Sequence, residues 1–309
     1  MRSSFRHPLR LSVSPIREVI HPSTPARSAR WLTATALLTG LGVVAHGCVT
    51  LTPPGAVRSE SGGLGVAVAE ELELRPDSAT SIRGWFLPGR GVGGVLLLHG
   101  HRSSHRSMLG RAQFLHRAGY SVLLIDFRGH GRSGGGPVTL GAAESRDAHA
   151  AFAYLRGRLP GQHLAVIGAS MGGAASLLGS APLDADAFIL ESVYATIDDA
   201  VLGRARSWLG PLGYALAPIY LRHWLPRSGV SASELRPIER IGQVRAPVYV
   251  MSGTDDAYTP IEEARALFEH AARPREFWAV EGAGHQDLHR AAGAEYERRV
   301  LAFLDRYVR

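Results

Sequence analysis

Cysteine is almost missing from this chain: Cys48 is the only one in 309 residues. A lone thiol cannot pair within the chain, so a disulfide-stapled fold is excluded. Lysine is absent altogether, and the cationic side chains are arginines. Long apolar runs are scarce too. Uncharged stretches of membrane scale are few, residues 31–51 foremost among them, too few for a polytopic membrane protein. Aromatics make up only 7%, yet 45% of the residues are hydrophobic and 20% charged. That profile is globular, neither disordered nor collagen-like. A chain of this length buries roughly three quarters of its unfolded surface and suits one large α/β domain.

The formal net charge is +7, but it is unevenly placed. Residues 1–48 hold Arg2, Arg6, Arg10, Arg17, Arg27 and Arg30 against one acid, Glu18, a balance of +5. The rest carries only the remaining +2, with arginines scattered among acids. A nucleic-acid surface needs basic residues clustered on one face, so nucleic acid is not an expected partner. A basic flank before an apolar run is the pattern of an export signal or a signal anchor. Its strongest part, residues 31–45, makes a helix of about 22 Å, short of a ~30 Å hydrocarbon core. That length suits a signal-peptide core, whereas the full stretch is long enough to span. Cys48 closes the run in the manner of a bacterial lipoprotein processing site, although Ala45 and His46 depart from the usual residues there. Three readings stand: a lipoprotein tethered to a membrane through Cys48, an uncleaved anchor, and a cytoplasmic protein with an extension.

Residues 1–65 thus form an N-terminal segment, ending in a Pro/Gly/Ser linker from 53, and residues 66–309 form the folded domain. Within it, residues 66–74 and 81–87 read as a strand pair. Short apolar runs at 94–98, 121–125, 163–167, 187–190, 247–251 and 275–280 read as buried strands. Helical stretches at 104–118, 140–156, 171–180, 261–271 and 287–308 alternate with them. Such alternation predicts a mostly parallel central sheet with helices on both faces. About 55 residues separate Leu190 from Pro247, more than a plain crossover needs. They predict short helices at 197–208 and 212–224 and a small helical cap, about 192–245, over the carboxyl ends of the strands. Trp208, Leu212, Tyr214, Leu216, Ile219, Tyr220 and Trp224 in this segment suit an acyl or aromatic group, or else pack on the sheet.

Gly168-Ala169-Ser170-Met171-Gly172-Gly173 directly follows the strand at 163–167 and opens a helix. This is the strand–turn–helix setting in which G-x-S-x-G carries a nucleophile. The turn is tight enough to strain the serine, and a side chain at 168 or 172 would clash with neighbouring strands. The hydroxyl is thrown out at the sheet edge, toward the free N–H groups of the helix beginning at Met171. Ser170 is therefore the candidate nucleophile, and it needs a base.

With this motif in this setting, residues 66–309 resemble an α/β-hydrolase. The resemblance implies the chain order serine, acid, histidine. Gly253 through Pro260 fits the family pattern G-x-x-D-x-x-x-P, which implies Asp256 rather than Asp255 as the acid. Gly282-Ala283-Gly284-His285 fits the family's histidine turn and implies His285 as the base. His99-Gly100-His101 implies the His101 N–H as one oxyanion donor, with the Met171 N–H as the other. Residues 126–133 match the family's D-x-R-G-H-G-x-S structural loop. That loop accounts for the Gly129, Gly131, Gly134 spacing, which otherwise suggests a phosphate cradle. No cofactor is implied. His99, His101 and His105 lack the spacing of a zinc hydrolase, so no metal is expected, and His105 is placed on a solvated or rim face. The branch resembled contains serine aminopeptidase-like enzymes, monoacylglycerol lipases and small bacterial esterases. It implies a metal-free serine hydrolase of a small-molecule acyl substrate, an ester in preference to a peptide. A peptidase would need a carboxylate for the substrate amine, and Glu191 is the only one placed. An acyltransferase on the same three residues and a non-catalytic binding protein are the alternatives.

Overall fold

The computed structural model describes residues 69–223 and 225–309. The basic segment, the apolar run, Cys48, the linker and Trp224 lie outside the described residues. A short antiparallel pair, β1 (Glu70–Asp77) and β2 (Thr80–Leu87), opens the domain. It is followed by β3 (Gly94–Leu98), α1 (Leu109–Ala118), β4 (Ser121–Ile125) and α2 (Glu144–Arg158). Next come β5 (Leu164–Ala169), α3 (Met171–Leu177) and β6 (Ala187–Glu191). Then α4 (Ile197–Leu209), α5 (Leu212–His223) and α6 (Pro237–Ile241) precede β7 (Val248–Gly253). Finally α7 (Ile261–His270), β8 (Arg275–Val280), α8 (Leu288–Ala292) and α9 (Ala294–Tyr307) complete the chain.

The strands form one sheet in the order β1-β2-β4-β3-β5-β6-β7-β8. Pairing is antiparallel along β1-β2-β4 and parallel from β4 to β8. Strand side chains alternate between two apolar layers, as a period of two dictates. Leu96 and Leu98 of β3 share one apolar layer with Phe152 and Leu155 of α2, Ala174 of α3 and Leu267 of α7. Val95 and Leu97 point the other way, toward Phe114 and Leu115 of α1 and Val300 and Phe303 of α9. In α9 the buried residues Tyr296, Val300, Phe303 and Leu304 recur at helical spacing, so one stripe faces the sheet. Helices thus cover both faces. The carboxyl ends of the parallel strands share one edge, and there β3, β5, β6, β7 and β8 deliver the loops of interest.

Three expected helices differ in detail. The one at 104–118 opens as a 3-10 turn, His105–Met108, before α1. The one at 287–308 breaks into α8 and α9 at Gly293, whose φ is +52°. The one at 140–156 starts only at Glu144. Its carboxylate accepts the Thr139 and Gly141 N–H groups at 2.8 Å, folding the residues before it into a loop. His105 is a correction: it is buried, not solvated. The opening turn rotates its ring inward, where it stacks on Trp85 at 3.7 Å and bonds Asp126 through Nδ1 at 2.9 Å. Among the described residues no helix is long and apolar enough to cross a membrane.

Candidate active site

Ser170 sits between β5 and α3 with φ +50° and ψ −117°, a region that few L-residues occupy. The conformation is imposed by close packing on both sides. A Cβ at Gly172 would lie 2.4 Å from the Leu98 carbonyl of β3. One at Gly168 would lie 2.5 Å from Gly173 Cα, so position 168 is closed by the following helix and not by a neighbouring strand. The Ser170 N–H is tied to the Glu191 carbonyl at 2.7 Å. Among the described residues four non-glycine residues have positive φ: Arg102, Leu140, Ser170 and Ser192. Three of them line the two cavities beside Ser170, and Arg102 follows His101. Strain concentrated at one place is the mark of a functional site.

Asp256 and His285 come from the loops after β7 and β8. His285 Nδ1 lies 2.8 Å from Asp256 Oδ2. The other carboxylate oxygen accepts the Tyr258 and Thr259 N–H groups, each at 2.9 Å, and the Thr259 hydroxyl donates to Oδ2 at 2.7 Å. Burial pushes the Asp256 carboxyl up, but the His285 contact and the Thr259 bonds outweigh it and hold it below its ordinary value. An ionised carboxylate at Nδ1 fixes the imidazole tautomer that leaves Nε2 as a base. Asp255 is exposed, and its carboxylate accepts only the Thr254 hydroxyl, at 3.2 Å. The sequence motifs therefore separate two adjacent aspartates that the structure also treats differently.

The β3 loop carries His101, which lines both cavities together with Ser170 and His285. Met171 N–H is the first of α3, and the first four N–H groups of a helix have no partner within it. The loop at 126–133 braces this corner. His99 accepts the Phe127 N–H at 3.1 Å and bonds the Gly100 carbonyl at 2.8 Å, which occupies both ring nitrogens. His130 accepts the Arg102 N–H at 3.2 Å, and Arg128 is clamped by Asp147 and Asp77. His99 and His105 are thus structural. Among the described residues no group of three or more His, Cys, Asp or Glu side chains is arranged to hold a metal ion.

Two cavities meet at Ser170. The first, about 60 Å³, is lined mainly by apolar side chains, among them Leu140, Met171, Tyr194, Ile197 and Val201. The second, about 230 Å³, is the more polar of the two, with Ser103, Ser107, Arg111, Glu191, Gln286 and Asp287 beside Met108 and Ala169. The apolar lining is not built from the cap residues that the sequence offered, of which Leu216 and Tyr220 take the other expected role and pack into the core. The lining comes from the first turns of α4 and from Leu140, whereas Trp208, Leu212, Tyr214 and Ile219 are exposed and Tyr220 is buried elsewhere. Glu191 is also not free to meet a substrate amine. It is buried against the Arg111 guanidinium and accepts the Tyr296 hydroxyl, and Arg111 reaches on to Asp287 at 2.7 Å. These partners are 80 or more residues apart, so no local pattern announces them.

Buried titratable groups around the site set a pH dependence. Burial, aided by His130, pushes His99 down to about 4. Burial, then His130 and Arg204, pushes His101 down to about 3. Burial pushes Glu263 up to about 8, despite the bond it accepts from the Ala195 N–H, with Asp199 and Asp256 adding to the rise. The unfolded histidines bind protons near 6.5, so stability is lost as pH falls below that value. Glu263 acts oppositely: the folded state keeps a proton that the unfolded chain sheds near 4.5, so stability is lost as pH rises toward 8. Below 6.5 two histidines outweigh one carboxylate; above it the Glu263 loss outweighs what the histidines still regain. These groups predict a stability maximum near pH 6.5 and a net loss of about 1 kcal/mol between there and pH 8, the Glu263 loss being partly offset by what the two histidines regain. Urea unfolding at both pH values should show that loss in the native protein and a gain of slightly under about 1 kcal/mol in Glu263→Gln, where only the histidines still act. An equal loss in both proteins would contradict the assignment.

Comparison with known proteins follows the same lines. The family model described as serine aminopeptidase, S33, matches residues 90–237. An uncharacterized protein of Mycobacterium tuberculosis is 29% identical over 222 residues, covering 70% of this chain and 72% of that one. A lysophosphatidylserine lipase of Danio rerio is 28% identical over 195 residues, covering 59% of this chain and 48% of that one. Among solved structures, an esterase of Pyrococcus furiosus superposes with a TM-score of 0.68 at 23% identity, covering 84% of this chain and 98% of that one. At that identity the likeness establishes the shared fold.

Proposed function

We propose that this chain, which matches α/β-hydrolases in fold, in the family model over residues 90–237 and in its relatives, hydrolyses carboxylic esters through an acyl-enzyme on Ser170. The observation that carries this reading is the convergence on the same two cavities of a strained Ser170 and His285, whose Nδ1 Asp256 holds from behind. In the proposed reaction Ser170 Oγ attacks the ester carbonyl while His285 Nε2 takes its proton. Asp256 stays ionised and steadies the imidazolium through Nδ1. The His101 and Met171 N–H groups receive the developing oxyanion. His285 then passes the proton to the leaving alcohol. Water, deprotonated by the same imidazole, releases the acid and restores Ser170.

The family description that matches names an aminopeptidase, and this favours peptide hydrolysis as a second reading. Against it stands Glu191, whose carboxylate is already neutralised by Arg111. The helices between β6 and β7 serve, in this proposal, as a cap whose first residues Ile197, Ala200 and Val201 shape the acyl cavity. A cavity of about 60 Å³ fits a short chain. Among p-nitrophenyl esters, acetyl and butyryl should therefore exceed dodecanoyl by about tenfold or more in kcat/KM. That follows because each methylene turned away from an apolar pocket forfeits about 0.8 kcal/mol. Absence of hydrolysis at every length would overturn the ester reading, and a preference for dodecanoyl would overturn the acyl-cavity assignment.

A further inference from the structure

Arg204 of α4 stands where the two cavities meet and lines both of them. Its guanidinium carbon lies 3.7 Å from the centre of the Tyr258 ring, and that ring lies 5.4 Å from the ring of His285. Trp208 Nε1 donates to the Tyr258 hydroxyl at 3.3 Å, which holds the ring in place. Arg204 is half-buried, and among the described residues it has no carboxylate within ion-pair distance. Its neighbour in the polar cavity is committed: Arg111 is bound by Glu191 and Asp287. Asp287 in turn accepts the His289 and Arg290 N–H groups at the start of α8. Arg204 is therefore the cation at this junction that no carboxylate among the described residues contacts, since Glu191 and Asp287, which line the same cavity, both turn to Arg111.

We propose that the polar cavity receives the alcohol portion of the ester and that Arg204 binds an anionic group on it, a carboxylate, phosphate or sulfate. This rests on the ester reading and deepens it. His285 must hand its proton to the leaving oxygen, and Arg204 is one aromatic ring away from that imidazole; since both residues line both cavities, it is the polar side chains of the second that assign it to the alcohol portion. The polar lining by Ser103, Ser107 and Gln286 solvates such a group, while the opposite cavity is apolar and takes the acyl chain. A guanidinium presents a planar fork of donors that matches carboxylate and phosphate oxygens. Its stacking on Tyr258 fixes the fork before substrate arrives, which lowers the ordering cost of binding. Arg204 is thereby a specificity-determining residue.

The test compares two matched pairs of esters. One pair shares a butyryl group and differs in the leaving group, anionic 4-hydroxybenzoate against neutral 4-hydroxybenzamide. The other pair shares phenol and carries the charge on the acyl side, monosuccinate against butyrate. The native enzyme should favour the anionic leaving group about tenfold in kcat/KM. Arg204→Met, which keeps an aliphatic stem on Tyr258, should bring that ratio to about one, and Arg204→Lys should lie between. An unchanged ratio in Arg204→Met, or an Arg204-dependent preference confined to the acyl-side pair, would overturn the proposal. A second measurement does not require turnover. Calorimetric titration of 4-hydroxybenzoate into Ser170→Ala should show binding about tenfold tighter than into Ser170→Ala/Arg204→Met. Equal affinities would overturn the anion site. Tighter binding to Ser170→Ala, with no ester hydrolysed by the native protein, would uphold the anion site and overturn the ester reading alone.

Discussion

Ser170→Ala is expected to abolish ester hydrolysis while leaving the fold and melting temperature essentially unchanged. The two halves of this expectation have separate physical grounds. The nucleophile, base and orienting acid act as one unit, so loss of any member removes nearly all that the unit contributes, on the order of 10⁴- to 10⁶-fold in kcat. The fold, by contrast, does not depend on the hydroxyl. Ser170 is held through its backbone, by its N–H bond to Glu191 and by the acceptance of the Ala174 N–H at 3.0 Å. Its unusual φ is imposed by Gly168, Gly172 and Gly173 packing against β3 and α3. Alanine meets the same backbone cost as serine. Initial rates with p-nitrophenyl butyrate and a thermal melt check both halves; retention of more than a tenth of the native rate would remove Ser170 from the nucleophile's role.

Asp256→Asn should lower kcat by about 10⁴-fold, as the same change does in serine proteases, because the amide stabilises the wrong imidazole tautomer. Asp255→Asn should change it by less than about threefold. The carboxylate of Asp256 is buried, and its Oδ2 meets His285 Nδ1 while Oδ1 takes two backbone N–H groups. An asparagine there must either present its NH₂ to the imidazole or turn it on the Tyr258 and Thr259 N–H donors. Asp255 is anchored through its backbone N–H to the Ala283 carbonyl at 2.9 Å, and its exposed side chain meets no part of the site. Steady-state kinetics of the two variants at pH 7.5 decide the matter. The reverse ranking would show that the acid had been misassigned between neighbours.

The sheet was legible because its strands are short, apolar and separated by helical periodicity; β3, β4 and β8 coincide with the expected runs. The three chemistry-bearing loops were legible for a related reason. Each follows a strand end, and each carries glycines or a proline that only a particular turn requires. What escaped the sequence depends on distance along the chain. Nothing near Arg111 signals that Glu191, Asp287 and Tyr296 will surround it. Nothing in the aromatic pattern of α4 and α5 distinguishes residues that line the acyl cavity from those that face water; Ile197, Ala200 and Val201 do the first, and Leu212 and Tyr214 the second. His105 was misplaced because the first turn of its helix is 3-10, which moves the ring off the face that a 3.6-residue period assigns.

The central claim is that Ser170 is the one nucleophile of a serine hydrolase, and a fluorophosphonate label tests it most directly. Intact-mass analysis should show a single adduct, mapped to Ser170 by peptide sequencing, with ester hydrolysis lost in proportion to the labelled fraction and no adduct on Ser170→Ala. Adduct on another residue, or full activity in fully labelled protein, would contradict the account.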